Sequence, residues 1–525
     1  MLSHCWGDKI PMRTTEETVA QHQHEKPLET MPKTFADAVV VTRRLHLRYL
    51  WIDSLCIIQD DPDDWAKQSS RMADIYKHAT VCLSATSAKD STEGMLVTLR
   101  SGGAATCELS LLGCPDTDGR PIPILLKFPI SEDYNNYVKA RGWILQESRL
   151  APRTIQFQFN HDRTYRNTVL TCSRLKSSGE IYVTNDVEDI TYFEGYDNIH
   201  ASKDRFNHDP HTSRRLCWYQ VVGDFTSRTL CYLTDTFPAL SGIASELWRD
   251  GKAGPAPPYV AGLWAGRDMI HDLLWHRTAS RGSRTTSPHD PGTFIAPSWS
   301  WASTNAPVQF VHCRFQRESF NNSSNPRLSC PHAFAARVTK YHVHPENANN
   351  PLGGIKSGAY IEIRGPLMPI AAFKINDGPL PSDVFLQRGH EQKKSTEGDF
   401  VHYGTVRFDG AEPPLNARVD DNSHNSACDA SLWCLLLSTD CELARRGDFV
   451  DEQGRAALGL VLEAVAVAAE VSEELLFRRV GFFDCDIEKK RDGLAPDSMA
   501  TAPIKEIVKW LKAADKKDKK VVRLI

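Results

Sequence analysis

Long hydrophobic runs are missing from this 525-residue chain. Its most apolar stretch, residues 456–471, is short, Ala-rich and broken by Glu463 and Glu470. A membrane-spanning helix needs about 20 mostly apolar residues, so no span is expected. An excess of one charge is missing too: 62 Lys and Arg against 66 Asp and Glu leave a net charge of −4. That excludes a basic footprint over the whole chain, and with it nucleic acid as the expected partner, while leaving room for a local patch. The start, Met-Leu-Ser-His-Cys-Trp-Gly-Asp, lacks the basic-then-apolar build of a secretory signal. The 14 cysteines are scattered, mostly in apolar surroundings around residues such as Cys56 and Cys82, and form no Cys-x-x-Cys pair. Such usage fits reduced thiols in a cytoplasmic protein and argues against a disulfide framework or a zinc ribbon. Phosphate loops of the Gly-x-x-x-x-Gly-Lys type, Gly-x-Gly-x-x-Gly turns, Gly-x-Ser-x-Gly elbows and His-Glu-x-x-His helices are absent, which weakens the ATPase, dehydrogenase, hydrolase and zincin readings.

What is present divides by texture. The first 160 residues alternate helix and strand. Thr34 is placed to cap a helix carrying Phe35, Ala38, Val39, Thr42 and Leu45 on one face. Residues 49–53 read as a short buried strand ending in Asp53. Asp60, Asp61, Asp63 and Asp64 mark a helix start, with Trp65, Met72 and Tyr76 on its buried face. Strands are expected over 79–85, 122–128 and 154–159, and a short helix over 140–150. Alternation of this kind argues for an α/β layer with a mainly parallel sheet. Residues 200–215 are polar, 235–244 lead into a helix, and 277–292, 345–358 and 376–425 look like loops. Strand-like runs at 458–462 and 475–483 precede a Lys-rich tail, which reads as a solvated helix end.

Several residue groups invite a chemical reading. His312, Cys313, Cys330 and His332 are soft ligands at no recognised metal spacing, so two loop-flanking pairs without metal are expected. The Asp cluster at 53–64 is better explained as a helix start than as a cation loop. His4 and Cys5 are neighbours whose side chains would point to opposite faces of a strand, so they form no dyad. In Trp143-Ile-Leu-Gln-Glu147, Trp143, Gln146, Glu147 and Leu150 share one helical face. Glu147 is then either a carboxylate with a raised pKa facing a ligand, or one that pairs with Arg141, Arg149 or Arg153 while Trp143 and Leu150 pack in the core.

Three blocks carry a family resemblance. Leu2-Ser-His-Cys-Trp-Gly7, then Leu50-Trp-Ile-Asp-Ser-Leu-Cys-Ile-Ile-Gln-Asp60 with Asp64 and Trp65, then Arg141-Gly-Trp-Ile-Leu-Gln-Glu147, resemble the signature blocks of the fungal heterokaryon-incompatibility (HET) domain, in that family's order. Later stretches (Ala239 to Ala244, Ala261-Gly-Leu-Trp264, Leu273-Leu-Trp275, Ala296 to Ala302) resemble the regions that follow such domains. The resemblance implies a TIR-like, flavodoxin-like α/β domain over residues 1–175, a linker over 176–215 and a mixed, strand-rich α+β region over 216–525. Family members usually carry a strand before the first block. Here Met1 directly precedes it, which implies a missing or truncated first strand. The implied role is nonself recognition and programmed cell-death signalling in the cytoplasm, through protein partners and self-association. By analogy with TIR domains that cleave NAD, the resemblance makes Glu147 the candidate catalytic group. Trp143, Arg141, Asp53, Ser3 and Trp6 are then substrate-binding candidates. NAD would be a consumed substrate, with no resident cofactor or metal. The rival is a non-catalytic self-associating module; a cysteine hydrolase using Cys5 or Cys56 is a third reading. Trp299 and Trp301 are read as core.

Overall fold

The structure, a computed structural model, describes residues 1–7, 12–24, 27–96, 106–115, 121–127, 136–159, 166–172, 210–249, 255–266, 268–278, 293–310, 333–370, 372–374, 382–387, 400–409, 432–439, 455–465, 476–486 and 519–525. The chain divides into two compact units, Met1–Ile190 and Thr191–Ile525.

The first unit is a layered α/β body. Strands β1 (Leu2–Ser3), β2 (Cys82–Ser84), β5 (Arg153–Phe159) and β6 (Arg166–Cys172) form one sheet in that order; strands β3 (Thr106–Pro115) and β4 (Pro121–Lys127) form a separate antiparallel pair. β1 and β2 run parallel, as do β2 and β5, while β6 returns antiparallel to β5. Successive strand residues point to opposite faces, and the two faces collect different cores. Leu2, Ile52, Leu83 and Phe157 pack with Phe35 and Ala38 of a helix over Lys33–Arg44. Met1 and Cys82 pack with Met72 and Tyr76 of the helix Pro62–His78, joined by Trp51, Trp143 and Leu150. Helices on both faces of a mostly parallel sheet are the arrangement that buries both sides of its strands.

Local chemistry corrects some expectations. The helix at 33–44 begins after Pro32, so Thr34 is not its cap; Thr34 lies inside the helix, buried, where its hydroxyl accepts from the Gly94 amide at 3.1 Å. Residues 49–52 form no ladder strand, although the Leu2 amide donates to the Trp51 carbonyl at 2.9 Å. Asp53 opens a short helix, Asp53–Cys56, rather than ending a strand. The acidic run is a helix start: Asp61 accepts from the amides of Asp63 and Asp64, with Pro62 at the first helical position. Asp60 and Asp64 are occupied by the amides of Glu16 and Ile58.

The second unit combines an aromatic helical layer with a large sheet. Helices Pro210–Thr226 and Pro238–Leu247 bring Trp218, Phe225 and Phe237 together with Trp264, Trp275, Trp299 and Trp301, all below 2% exposed. Trp299 and Trp301 are therefore core, as read. The Gly262 carbonyl accepts from the indoles of Trp218 (2.8 Å) and Trp301 (3.0 Å). Gly262 has φ +88, and a Cβ there would meet Trp301 Nε1 at 2.5 Å, so only glycine serves. The stretch expected as a linker to residue 215 ends in helix, since Pro210 already begins one. The tract 376–425 is not all loop either: Ser382–Gln387 and Phe400–Phe408 pair antiparallel, the second being rich in β-branched and aromatic residues. They belong to an eleven-stranded sheet that also holds Arg455–Ala464 and Leu476–Asp486, the two runs read as strands. Among its members are β12 (Arg337–His342), β13 (Tyr360–Gly365) and β21 (Lys520–Leu524). The last lysine of the Lys-rich tail, Lys520, begins a strand, while Lys516, Lys517 and Asp518 lie outside the described residues. His312, Cys313, Cys330 and His332 and the loop 279–292 lie outside the described residues. Among the described residues, no helix is long and apolar enough to cross a membrane, and no group of three or more His, Cys, Asp or Glu is placed to hold a metal ion.

Candidate functional site

The carboxyl end of β1 opens onto a polar cluster. Ser3 ends the strand, and His4, Cys5 and Trp6 follow before Gly7 turns the chain at φ +72, where a Cβ would come within 2.4 Å of Asp90 Cβ. Parity sends Ser3 toward the face of Met1 and Cys82, where Tyr76 lies. Glu147 reaches the same place from the helix Gly142–Leu150, whose N-cap is Arg141.

Glu147 is 3% exposed. The hydroxyls of Ser3 and Tyr76 stand beside its carboxyl, and neither makes a well-aligned hydrogen bond to it. Burial pushes its pKa up to about 7; the nearby Asp53 charge adds to this, and Arg141, Ser3 and Tyr76 act against it.

Asp53 sits at the rim, with its side chain 15% exposed. One oxygen accepts from the Trp6 indole at 2.9 Å and the other from the Ser54 amide at 2.8 Å. Arg141, half-buried, donates to the His4 carbonyl and stands over the Trp6 ring at 5.9 Å. The rim therefore holds an anion and a cation whose positions are fixed through the same short segment, with the buried carboxyl of Glu147 close behind them.

His4 is buried, with its ring edge against Phe35 at 5.1 Å. Its Nδ1 has no hydrogen-bond partner and stands 3.8 Å from Asp53 Oδ1. Burial lowers its pKa to about 4, with Asp53 opposing and Arg141 assisting, so the ring is neutral at pH 7. Cys5 points elsewhere, into a small cluster with Val138 and Ile144, so it faces no His4 dyad. Burial raises the Cys56 thiol, which disfavours the thiolate that a cysteine nucleophile needs.

Of the six residues read as site candidates, Ser3, Trp6, Asp53, Arg141 and Glu147 converge. Trp143 packs against Met72, Tyr76 and Cys82 on the apolar side of the same helix. The helical offset puts Trp143 one turn from Glu147 but carries no information about the rim. Two members were missed. Tyr76 was read only as core, and His4 only as a neighbour of a thiol. The available signals were His4's place inside the first signature block and Tyr76's place on the helix that follows the second.

Residues 1–147 match the family model described as Heterokaryon incompatibility protein (HET). All three signature blocks fall inside that match. No curated protein and no solved structure matches the chain.

Proposed function

We propose that this chain, whose residues 1–147 are a HET domain, acts in fungal nonself recognition and cell-death signalling in the cytoplasm, and that its first unit cleaves NAD at the cluster around Glu147. The observation that carries the enzymatic reading is the buried Glu147 carboxyl behind a rim of fixed, opposite charges, Asp53 and Arg141.

The topology supports a flavodoxin-like reading of the unit. The bond from Leu2 to Trp51 lays residues 50–52 along the outer side of β1. The sheet order is β1, β2, β5, β6, with residues 50–52 tied to β1 by that one bond. In open α/β sheets, ligands bind beyond the carboxyl ends of the parallel strands. Ser3, His4 and Trp6 leave β1 at that end.

The chemistry follows from the groups present. In NAD hydrolysis the bond between ribose C1′ and the nicotinamide nitrogen breaks, and its electron pair neutralises the pyridinium. Positive charge develops on the ribose. Ionised Glu147 stabilises that charge, and Asp53 and Arg141 at the rim orient ribose hydroxyls and phosphate. Water adds to C1′ and passes a proton to Glu147, whose pKa of about 7 suits a base at neutral pH. The products are nicotinamide and ADP-ribose.

The test is nicotinamide release by the purified full chain, with and without enforced clustering. Glu147→Gln should cut the rate by about 10²–10³ and abolish cell killing while the protein still melts cooperatively. A second reading, a non-catalytic self-associating module, is favoured by the near-complete burial of Glu147, which could serve simply to tie β1 to its neighbouring helices. Wild-type killing by a folded Glu147→Gln protein would establish that reading instead.

A further inference from the structure

The outer face of β12, β13 and β21 in the second unit is built from cations. On β13, Ile361, Ile363 and Gly365 are buried, so Tyr360, Glu362 and Arg364 point outward. Register fixes the rest of that face. Arg337 lies directly across from Arg364, Lys340 from Glu362, and His342 from Tyr360. On β21, Val521 and Arg523 stand across from Arg364 and Glu362. Four full cations share the face with one carboxylate.

That carboxylate is already occupied. Arg523 Nη2 donates to Glu362 Oε1 at 2.8 Å, and Lys340 Nζ is 3.8 Å from the same oxygen. Arg337 and Arg364 are both exposed, and no described carboxylate pairs with either. Like charges directly opposite in an antiparallel pair are destabilising, yet here they stand side by side without a counter-charge. Among the described strands β12 pairs only with β13, so Arg337 stands on the outer strand and Arg364 on the strand next to it.

The aromatic group on the face is not a stacking platform. His342 stacks on Tyr360 at 5.3 Å, and Arg523 lies over the same ring at 4.4 Å. A nucleobase would find no open ring face there, which argues against single-stranded nucleic acid. What the face offers is two guanidinium forks, about 5 Å apart at Cβ. Such forks match the oxygens of a phosphoryl group and bind them bidentately.

We propose that Arg337 and Arg364 form a binding site for a phosphoryl group of a multiply phosphorylated ligand, with Lys340 flanking it. The ligand is either a soluble polyphosphate or a phosphorylated lipid headgroup, and the site does not depend on NAD cleavage.

The experiment uses the full chain in two arms: calorimetric titration with tripolyphosphate, and flotation with phosphatidylcholine vesicles with or without a phosphatidylinositol bisphosphate. Binding in either arm is expected, and the arm that responds identifies the source. The Arg337→Gln/Arg364→Gln double variant should lose at least tenfold in affinity. The control Arg44→Gln, on the helix Lys33–Arg44 of the first unit, should lose nothing. Replacing both arginines by Lys, which keeps charge but removes the forks, should cost about threefold or more. The proposal is overturned if the wild type binds neither probe, if the Gln pair binds as wild type, or if the Lys pair does.

Discussion

The two units bury the same side-chain chemistry to different ends. In the second, Arg215 faces Asp272 in an ion pair at 2.6 Å, the Tyr219 hydroxyl donates to the same carboxylate at 2.6 Å, and the Trp264 amide donates to its other oxygen at 2.7 Å. Arg215 also donates to the carbonyls of Trp264 and Ala265. Burial works against its charge, but Asp272 and Tyr219 more than offset that, and its pKa is raised. In the first unit, an Arg, a Tyr and a carboxyl again meet, but Arg141 spends a donor on the His4 carbonyl, and a second acid, Asp53, stands near Glu147. The matched node holds its charges fixed; the mismatched one keeps Glu147 able to gain or lose a proton near neutral pH. A buried carboxyl left under-compensated is a mark of a working site, and a fully compensated one is a mark of architecture.

Removing one member of the matched node breaks this comparison most severely. Asp272→Ala leaves Arg215 buried without its partner and orphans the Tyr219 hydroxyl and the Trp264 amide. The expected cost is about 3–5 kcal/mol. Denaturant melts followed by tryptophan fluorescence, which reports the Trp-rich second unit, should show a loss of this size. A loss below about 1 kcal/mol would mean the node is dispensable and the contrast between units is empty.

In the first unit the difference appears in pH dependence. Glu147 has its pKa raised on folding, from 4.5 to about 7. It therefore binds a proton more readily when folded, and its stabilising contribution is full below pH 4.5 and lost as pH rises to about 7. The loss amounts to about 3 kcal/mol. His4 behaves in the opposite sense, since its pKa falls from 6.5 to about 4. Its contribution is full above pH 6.5 and lost as pH falls to about 4, again by about 3 kcal/mol. Between pH 4.5 and 6.5 the two slopes oppose each other, so the wild-type unit should be nearly level there. Glu147→Gln should expose the His4 slope, with melting temperature rising with pH. His4→Leu should expose the Glu147 slope, with melting temperature falling. Parallel profiles for the wild type and both variants would show that neither group is strained by burial.

The sequence carried the local parts of this picture and not the long-range ones. Helical periodicity located the helices at 33–44, 62–78 and 142–150, and alternation located the strands near 82, 155, 458 and 477, because each rests on spacing within one segment. The caps were harder. Pro32 displaced Thr34 from the helix start, as a proline can open a helix without a side-chain cap. Residues 50–52 read as a strand from their apolar character, and they lie beside β1, yet only one bond to Leu2 forms before Asp53 begins a helix. The i, i+4 offset put Glu147 and Trp143 on one helix face, where Trp143 packs with the apolar core. The meeting of His4 with Asp53, and of Tyr76 with Glu147, joins residues 49 and 71 positions apart, which no single-segment period can register.

The smallest effect sharpens the comparison by separating architecture from site within the first unit itself. Asp61 caps the helix Pro62–His78, accepting from the amides of Asp63 at 2.9 Å and Asp64 at 3.1 Å. The cap satisfies two of the helix's open amides, and its charge lies at the positive end of the helix dipole. Asp61→Ala should cost about 1 kcal/mol, the ordinary value for a lost cap. That helix also carries Tyr76, but at its far end, four turns from Asp61. Fraying of the first turn should therefore lower the melting temperature by a few degrees without altering the pH profile set by Glu147 and His4. Nicotinamide release should likewise stay within about twofold of wild type. If Asp61→Ala instead changes the pH profile or removes activity, the helix acts as one rigid lever on Tyr76, and the division between supporting and working residues in this unit has to be redrawn.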